Sequence, residues 1–220
     1  MNDKQRIQEI VSTLKTRKVE YKLNYYEPYR FQKDFHKAGI NANQRLLMAA
    51  NRVGKSYVGA MEMAMHLSGD YPDWWEGKRY KEPIRAWVCG ASNETTRDIC
   101  QKELFGQPDN PRDRGRGTVP KHLIGETTRK PGVPNAHSSV LVKHTTGGWS
   151  RVAFKAYEMG AEKFMGESID LVWLDEEPSQ EIYSQCITRT LDRQGMVYLT
   201  FTPESGMTEV VQNFTTDLKP

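Results

Sequence analysis

The chain has 220 residues, enough for one large domain with a buried core, and its 37% hydrophobic and 27% charged side chains are ordinary for a soluble globular protein. The net charge of +3 does not by itself indicate a nucleic-acid partner, although eight Lys or Arg and only three Asp or Glu lie between 106 and 151. Three cysteines without CxxC spacing argue against a disulfide scaffold or a zinc site, and no apolar run approaches the ~20 residues that span a bilayer. We therefore expect a soluble, intracellular protein without a signal peptide.

The predicted elements alternate between helix and strand along most of the chain. An apolar stripe at i, i+3, i+4 and i+7 predicts a helix over 3–17, and a second helix is expected to begin after Pro28. The predicted strands are 45–50, 85–90, 139–143, 151–155, 170–174 and 196–201, and the further predicted helices are 54–67, 94–104 and 182–191.

The alternation is interrupted at 105–138, which is rich in Gly, Pro and basic residues. We predict a long irregular basic insertion there. Elsewhere, strands that alternate with helices predict an α/β domain with a mainly parallel central sheet flanked by helices. Because ligands of such sheets bind beyond the carboxyl ends of the strands, the polar residues that follow each apolar strand are the candidates for a site.

The first such segment is AANRVGKS, at 49–56, between a predicted strand and a predicted helix. Backbone N–H groups in a strand-to-helix turn form an anion site, and Gly54 keeps a side chain away from bound phosphates. Lys55 is expected to reach the β- and γ-phosphates, and the Ser56 hydroxyl to ligate Mg²⁺. Ala49 stands where such a loop has its first glycine. A chance GKS in a surface turn is the alternative.

The second segment is SIDLVWLDEEP, at 168–178, a buried strand that ends in three acids. Asp175 is expected to hold Mg²⁺ through water, and Glu176 to take a proton from an attacking water. Glu177 is the weaker candidate for the base. A solvated acidic turn is the alternative, but this strand comes 120 residues after Lys55 and makes a chance GKS much less plausible.

Two weaker signals complete the set. In MVYLTFTPESG, at 196–206, Thr202 follows another apolar strand, where its hydroxyl could sense hydrolysis at the γ-phosphate. In PYRFQKDFH, Gln32 offers an amide that can donate to and accept from the adenine edge, and Tyr29 or Phe31 could stack on the ring. A Thr-rich strand and a polar helix residue are the respective alternatives.

Together these motifs resemble the N-terminal ATPase domain of the large terminase subunit of tailed bacteriophages, over essentially the whole chain from about Pro28. The resemblance implies a P-loop NTPase fold of the RecA/ASCE type that uses ATP and Mg²⁺. The family's loop often carries Arg and lacks the standard glycine spacing, which accounts for Ala49. By the resemblance the site residues are, for catalysis, Glu176, Lys55 and Arg52; for nucleotide binding, Gln32, Asn51, Arg52, Val53, Gly54, Lys55, Ser56 and Thr202; and for the metal, Ser56 and Asp175.

The resemblance also implies a setting. The chain would be the ATPase domain of a viral packaging motor, driving double-stranded DNA into a procapsid with portal protein and a small terminase subunit as partners. It would form a ring in the motor and be a monomer as an isolated domain, act in the host cytoplasm on the procapsid portal, contact no membrane and be absent from the mature virion. Residues 1–220 would form one ATPase domain, with 1–27 as N-terminal helix and lead-in. The family's C-terminal nuclease domain is expected to be absent, and with it nuclease activity.

Several points stay open at this level. A charge donated in trans to the γ-phosphate could come from Lys163, Arg189 or Arg193, and the bases Arg112, Arg114 and Arg116 could contact DNA phosphates, contact a neighbouring subunit, or form a solvated loop. The alternative functions are a superfamily-2 helicase-like translocase fragment, which would need a second RecA-like domain, and a nucleotide-binding assembly module that docks on portal or small terminase. The acidic cluster argues against the second.

Overall fold

The computed structural model describes residues 3–204 and 206–215, which form an α/β fold around one seven-stranded sheet of order β1-β7-β6-β2-β5-β4-β3. The first five strands in this order are parallel, and β4 and β3 extend the sheet antiparallel at one edge. This confirms the predicted, mainly parallel sheet. The strands are β1 Gln44–Met48, β2 Arg85–Gly90, β3 Ile124–Arg129, β4 His137–Lys143, β5 Trp149–Ala156, β6 Leu171–Asp175 and β7 Met196–Phe201.

Helices occupy the predicted positions, and one further helix follows the last strand. The π-helical segment Thr96–Gln101 joins two short helices, so that 93–105 is one continuous helical stretch. The last helix, α7, has no counterpart in the sequence prediction. The helices are α1 Asp3–Glu20, α2 Arg30–Ala38, α3 Lys55–Ser68, α4 Asn93–Thr95, α5 Lys102–Phe105, α6 Gln180–Leu191 and α7 Glu209–Thr215.

Helix α3 is the most deeply buried helix of the described chain and packs against the centre of the sheet. Its methionines Met61, Met63 and Met65 are fully buried, as is every residue of β6. At Gly59 the helix touches the Trp173 indole of β6 so closely that a β-carbon there would lie 2.5 Å from the ring. A second apolar layer, formed with α6 and α7, covers the opposite face of the sheet. The carboxyl end of β6 is thereby held directly beneath the start of α3.

A buried ionic cluster connects α2, β1 and α3. Glu62 of α3 accepts hydrogen bonds from Arg45 of β1, and its carboxylate lies 2.7 Å from His36 Nδ1 and 3.4 Å from His66 Nε2. Burial would raise the pKa of Glu62, but Arg45, His36 and His66 lower it well below its ordinary value. Sequence patterns assign these histidines no role, and the fold uses them to satisfy one buried carboxylate.

The predicted irregular insertion at 105–138 is wrong in part. Residues Ile124–Arg129 form β3, which pairs antiparallel with β4 and is the edge strand of the sheet. The strand was missed because an edge strand needs little apolar character, and IGETTR is mostly polar. His137 and Ser138 already belong to β4, and Phe105 ends α5. The rest of the stretch is irregular apart from two single 3₁₀ turns, Pro111–Asp113 and Lys121–Leu123, and a β-bridge between Arg116 and Pro120.

Helix α1 has the predicted position, but none of its residues is buried in the described chain. The apolar stripe predicted from Ile7, Ile10, Val11 and Leu14 is 43–61% exposed. Within 3–204 and 206–215, neither α1 nor any other helix has the length and apolar character to cross a bilayer.

Candidate nucleotide-binding site

The loop between β1 and α3 has the backbone shape of an anion-binding turn. Arg52 and Gly54 both have left-handed backbones, with φ of +65° and +83°, and α3 begins at Lys55. Glycine adopts this conformation at no steric cost, which explains Gly54, whereas Arg52 is disfavoured there and requires support from its surroundings. The amide groups at the start of the 14-residue helix α3 face the space beyond the strand tips, where negative charge is stabilised.

Lys55 and Thr202 join this loop to the end of β7. Lys55 Nζ donates to the Ala50 carbonyl oxygen at 2.9 Å and to Thr202 Oγ1 at 2.7 Å. Thr202 Oγ1 in turn lies 2.8 Å from Asn51 Oδ1 and 3.1 Å from the Ala49 carbonyl oxygen. The structure therefore brings together Asn51, Lys55 and Thr202, three residues predicted to belong to one site.

Ser56 and Asp175 face each other beside that cluster. The Ser56 hydroxyl is 3.0 and 3.2 Å from the two Asp175 carboxylate oxygens, and Thr200 Oγ1 donates to Oδ1 at 2.7 Å. The indole N–H of Trp173 donates to Thr200 Oγ1 at 2.7 Å, which fixes that hydroxyl as a donor to the carboxylate. Burial raises the pKa of Asp175 to about 6, against the opposing effect of the Thr200 and Ser56 hydrogen bonds.

A hydroxyl aimed at a buried carboxylate is a donor set that fits Mg²⁺. This ion takes oxygen ligands and is usually held by one or two protein groups together with substrate phosphates and water. The raised pKa of Asp175 reflects negative charge that is costly to bury alone, and a cation would relieve this cost. Within 3–204 and 206–215, no group of three or more His, Cys, Asp or Glu could hold a metal ion.

Glu176, the next residue, has a left-handed backbone with φ of +65° and an exposed side chain. Partial burial raises the pKa of its carboxyl, the positive charge of Lys55 opposes that rise, and Glu204 adds to it. Glu177 instead accepts a hydrogen bond from Thr208, which gives it a place in the packing of α7. Of these two adjacent carboxylates, that of Glu176 is therefore the better candidate to act on a ligand in the cleft.

In the described chain, Gln32, the residue predicted to recognise adenine, makes its side-chain hydrogen bonds to Tyr26 and Tyr29 and not to residues of this cleft. Gln32 is buried, and its side-chain oxygen accepts from the Tyr29 N–H at 2.9 Å and from the Tyr26 hydroxyl at 3.4 Å. Tyr29 and Phe31 are exposed and stack on each other, with 6.2 Å between ring centroids. An edge-on contact between Tyr26 and Tyr57, the residue after Ser56, connects this segment with the start of α3.

Two of the three candidate trans cations, Arg189 and Arg193, lie away from the cleft. Arg193 Nη1 is 3.2 Å from Asp170 Oδ1, and Arg189 donates to the Gly166 carbonyl oxygen at 3.4 Å. Asp170 precedes β6, so Arg193 is at the opposite end of the strand from Asp175. Lys163 lies in a 3₁₀ turn, Ala161–Phe164, between β5 and β6. Any role of the two arginines at the γ-phosphate would therefore be in a neighbouring subunit.

Four side chains of the site do not follow from the sequence: Thr200, Trp173, Tyr157 and Cys100, whose thiol donates to Asp175 Oδ2 at 3.8 Å. Tyr157 follows β5, and its hydroxyl donates to the carbonyl oxygens of Asp175 and Glu176 at 3.1 and 2.9 Å. Thr200 is paired with Asp175 across β6 and β7, a register that the sequence does not reveal. The sequence does place Thr200 two residues before Thr202. Residues at this spacing lie on the same side of an extended segment, so Thr200 could have been expected near the site.

The sheet order, with the loop and helix α3 that follow its edge strand β1, is that of the P-loop α/β class. The family model described as "Terminase large subunit, T4likevirus-type, N-terminal" matches residues 46–220. The chain therefore belongs to the large terminase subunit family.

Individual relatives agree with this assignment. The large terminase subunit of Salmonella phage P22 is 38% identical over 206 aligned residues, which cover 86% of this chain and 41% of that protein. The large terminase of a thermophilic bacteriophage has a similar fold, with a TM-score of 0.54 at 10% identity over 80% of this chain and 39% of its own. A second structure of that thermophilic phage's enzyme, a complex with ADP, gives 0.51 at 8% identity over 88% and 51%. The chain thus spans less than half the length of the P22 relative.

Proposed function

We propose that this chain hydrolyses Mg-ATP and that hydrolysis drives double-stranded DNA into a viral procapsid. The observation that carries the proposal is the Ser56 hydroxyl aimed at both oxygens of Asp175, one residue from Lys55 and one from Glu176. A lysine and a hydroxyl at a helix start, opposite two carboxylates at a strand tip, are the parts that phosphoryl transfer to water requires. Family membership and the ADP complex of the thermophilic phage's large terminase support nucleotide as the ligand.

The residues of the site then have distinct roles in the reaction. The N–H groups of Asn51, Arg52, Val53 and Gly54 cradle the phosphates, and Lys55 neutralises oxygens of the β- and γ-phosphates. Ser56 and Asp175 would hold Mg²⁺, which when bound screens phosphate charge. Glu176 accepts a proton from water as the water oxygen bonds to the γ-phosphorus and the bond to the ADP oxygen breaks. Arg52 contacts the γ-phosphate from the loop.

The contacts of Gln32 indicate which of its side-chain atoms would bind adenine. Its side-chain oxygen already accepts two hydrogen bonds, so its amide N–H groups would donate to the base unless the oxygen exchanges partners. The exposed rings of Tyr29 and Phe31 beside it offer a surface for stacking. Replacing Gln32 with Glu should weaken ATP binding more than binding of inorganic triphosphate, which lacks the base.

The surface that would contact DNA is a basic groove between the end of α1 and the insertion. Its exposed cations are Arg112, Arg114, Arg116 and Lys121, which line about 470 Å³ together with Glu20, Tyr21, Gly115 and His122. Among these cations, one ion pair is present, between Arg116 and Asp113 at 3.9 Å. Cations with few protein partners can bind phosphates and release counterions, which makes such binding steeply salt-dependent.

A salt titration tests this surface. Replacing Arg112, Arg114 and Arg116 with Gln should reduce the slope of log K against log salt for duplex DNA by about 1 for each phosphate that loses its arginine. A matched charge change outside the groove, Lys33, Lys37 and Lys81 to Gln, should leave the slope unchanged because none of the three lines it. If both triple variants keep the native slope while the arginine variant alone fails to self-associate, the groove contacts a neighbouring subunit instead.

We propose the remaining features of the family setting for this chain as well: ring formation in the motor, docking with portal protein and a small terminase subunit, and action in the host cytoplasm on the procapsid. A ring would supply the trans cation from Lys163, Arg189 or Arg193. The alternative of a nucleotide-binding assembly module leaves Glu176 without a role, and a helicase-like fragment would need a second RecA-like domain.

The deciding experiment measures phosphate release per chain as a function of protein concentration, with Glu176→Gln as control. Turnover that rises with concentration and falls to a small residual rate on the substitution supports a motor ATPase completed by a neighbour. Constant turnover with an inactive variant places all the reacting groups in one chain. If both proteins bind ATP and both are inactive at high concentration, the assembly module is the better interpretation.

A further inference from the structure

The backbone at Glu176 leaves the extended conformation immediately after β6. Successive residues of a strand face opposite sides of a sheet, so an extended Glu176 would face away from the side on which Asp175 meets Ser56. With φ of +65°, Glu176 departs from this alternation. A residue with a β-carbon is disfavoured in this conformation and keeps it where its surroundings hold it.

Hydrogen bonds hold this turn from two directions. The N–H of Glu176 donates to the Thr200 carbonyl oxygen of β7 at 3.0 Å. From the other side, the Tyr157 hydroxyl lies 2.9 Å from the Glu176 carbonyl oxygen and 3.1 Å from that of Asp175. A hydroxyl has one proton, and this one is shared between the carbonyl oxygens of two successive residues. Both carbonyl groups must therefore point towards Tyr157. That is the arrangement that the left-handed residue produces.

Backbone hydrogen bonds fix the position of Tyr157 relative to the loop after β2. It follows β5, which is separated from β6 by β2, so its ring reaches over the end of β2 to meet the Asp175–Glu176 peptide. Its carbonyl oxygen accepts from the Gly160 N–H at 3.0 Å. Glu158, the next residue, donates its N–H to the Ala91 carbonyl oxygen at 3.2 Å and accepts from the Asn93 N–H at 2.8 Å. These bonds anchor Tyr157 to the loop that follows β2.

We propose that Tyr157 is a positioning residue for the hydrolytic water: its hydroxyl fixes the backbone turn that aims the Glu176 carboxylate into the nucleotide cleft. The inference rests on the proposed function, in which Glu176 accepts the proton of that water. Tyr157 touches neither nucleotide nor water in this role. Its loss should therefore slow the chemical step, which depends on the placement of the base, and leave nucleotide affinity, which depends on Lys55 and Ser56, nearly unchanged.

The test compares Tyr157→Phe with Tyr183→Phe. Tyr157 is partly buried and Tyr183 is buried. The Tyr183 hydroxyl donates to Gln44 Oε1 at 2.6 Å, at the end of β1 remote from the cleft. Turnover is normalised to the amount of fluorescent ADP bound per chain, so that unfolded molecules do not contribute. We expect Tyr157→Phe to lower kcat about 10- to 100-fold with KM and ADP affinity within about twofold, and Tyr183→Phe to keep the native kcat.

Residual turnover in the Glu176→Gln background is the second readout. There, Tyr157→Phe should cause no further loss, because the base that it positions is already absent. An equal fall in kcat and in ADP affinity, or a further loss in the Glu176→Gln background, would overturn the inference and make Tyr157 a structural residue. A native kcat in Tyr157→Phe would overturn it too. If Glu176→Gln alone retains native turnover, the proposed function itself fails.

Discussion

Lys55 Nζ and Thr202 Oγ1 lie 2.7 Å apart, which joins the first residue of α3 to the segment directly beyond β7. The same hydroxyl is within hydrogen-bonding distance of Asn51 and of the Ala49 carbonyl oxygen. Phosphate oxygens would compete with Thr202 for the Lys55 ammonium. Nucleotide binding is thus expected to release the end of β7 from the loop, which is a direct physical route from the site to the rest of the sheet.

Replacing Thr202 with Val should separate ATP binding from ATP turnover. The substitution removes a competitor for Lys55, so ATP should bind at least as tightly as to the native chain. Turnover should fall about tenfold, the effect of about 1.4 kcal/mol on the barrier, because the loop and β7 no longer respond together. Equilibrium binding of a fluorescent ATP analogue and steady-state phosphate release measure the two quantities. Thr202→Ser keeps the hydroxyl and should retain both; weaker ATP binding in Thr202→Val would contradict the competition.

Replacing Ser56 with Ala should change the dependence on Mg²⁺. The Ser56 hydroxyl points at the Asp175 carboxylate and is the expected protein ligand on the helix side. Without it, the Mg²⁺ concentration for half-maximal phosphate release should rise at least about tenfold, consistent with the loss of one ligand from a site that has few. Ser56→Thr is the matched control and should titrate like the native chain. An unchanged Mg²⁺ titration in Ser56→Ala would remove this residue from the proposed metal site.

The site residues at the carboxyl ends of the strands can be predicted from the sequence, but the side chains that connect these strand ends cannot. Gly54, Asp175 and Thr202 follow apolar strands, and parallel strands place their carboxyl ends at one edge, so their proximity could be predicted. Tyr157 acts across β2, and only the strand order reveals that a residue after β5 can reach the end of β6. Edge strand β3 was missed because solvent exposure removes the apolar pattern on which strand prediction relies.

The sequence carries a weak indication of the buried cluster around Glu62. Glu62 is the one acid in helix α3 and lies within an otherwise apolar run, and Arg45 is the one cation in strand β1. A charge in a segment that is predicted to be buried needs a partner, which favours pairing the two. The partners come from three elements, however, and their geometry depends on how α2 and α3 pack on β1, which periodicity does not specify.

Replacing Glu62 with Gln should strongly destabilise the fold. Arg45 and Glu62 are both almost fully buried, and a lone buried guanidinium is costly, so the free energy of unfolding should fall by about 3–5 kcal/mol. Urea denaturation followed by tryptophan fluorescence measures this. The control is Glu76→Gln, which breaks an ion pair with Lys37 on the surface and should leave the midpoint unchanged. Similar midpoints for the two variants would show that the buried pair contributes little.

The same cluster predicts loss of stability in acid, in two windows. The folded-state pKa of His66 is lowered, chiefly by burial, so the unfolded chain takes up a proton first and stability falls as pH drops below 6.5. The folded-state pKa of Glu62 lies well below 4.5, so its contribution is present above pH 4.5 and is lost as pH falls further. Denaturation midpoints from about pH 8 to about pH 3 test this, and Glu62→Gln should lack the lower of the two losses.

Gly59→Ala should destabilise the protein even though alanine is the better helix former by about 1 kcal/mol. A β-carbon at 59 would lie 2.5 Å from the Trp173 ring, which is stacked on Tyr198 and bonded to Thr200 and so has no room to move. Overpacking of this kind costs about 1–3 kcal/mol, which exceeds the propensity gain. The strain should also move the start of α3 away from β6, so the Mg²⁺ requirement should rise because Ser56 leaves Asp175.

Combining Gly59→Ala with Trp173→Phe, which frees space beside the helix, should destabilise the protein by less than the sum of the two single changes. Additive losses in this cycle would mean that residue 59 and the indole do not meet.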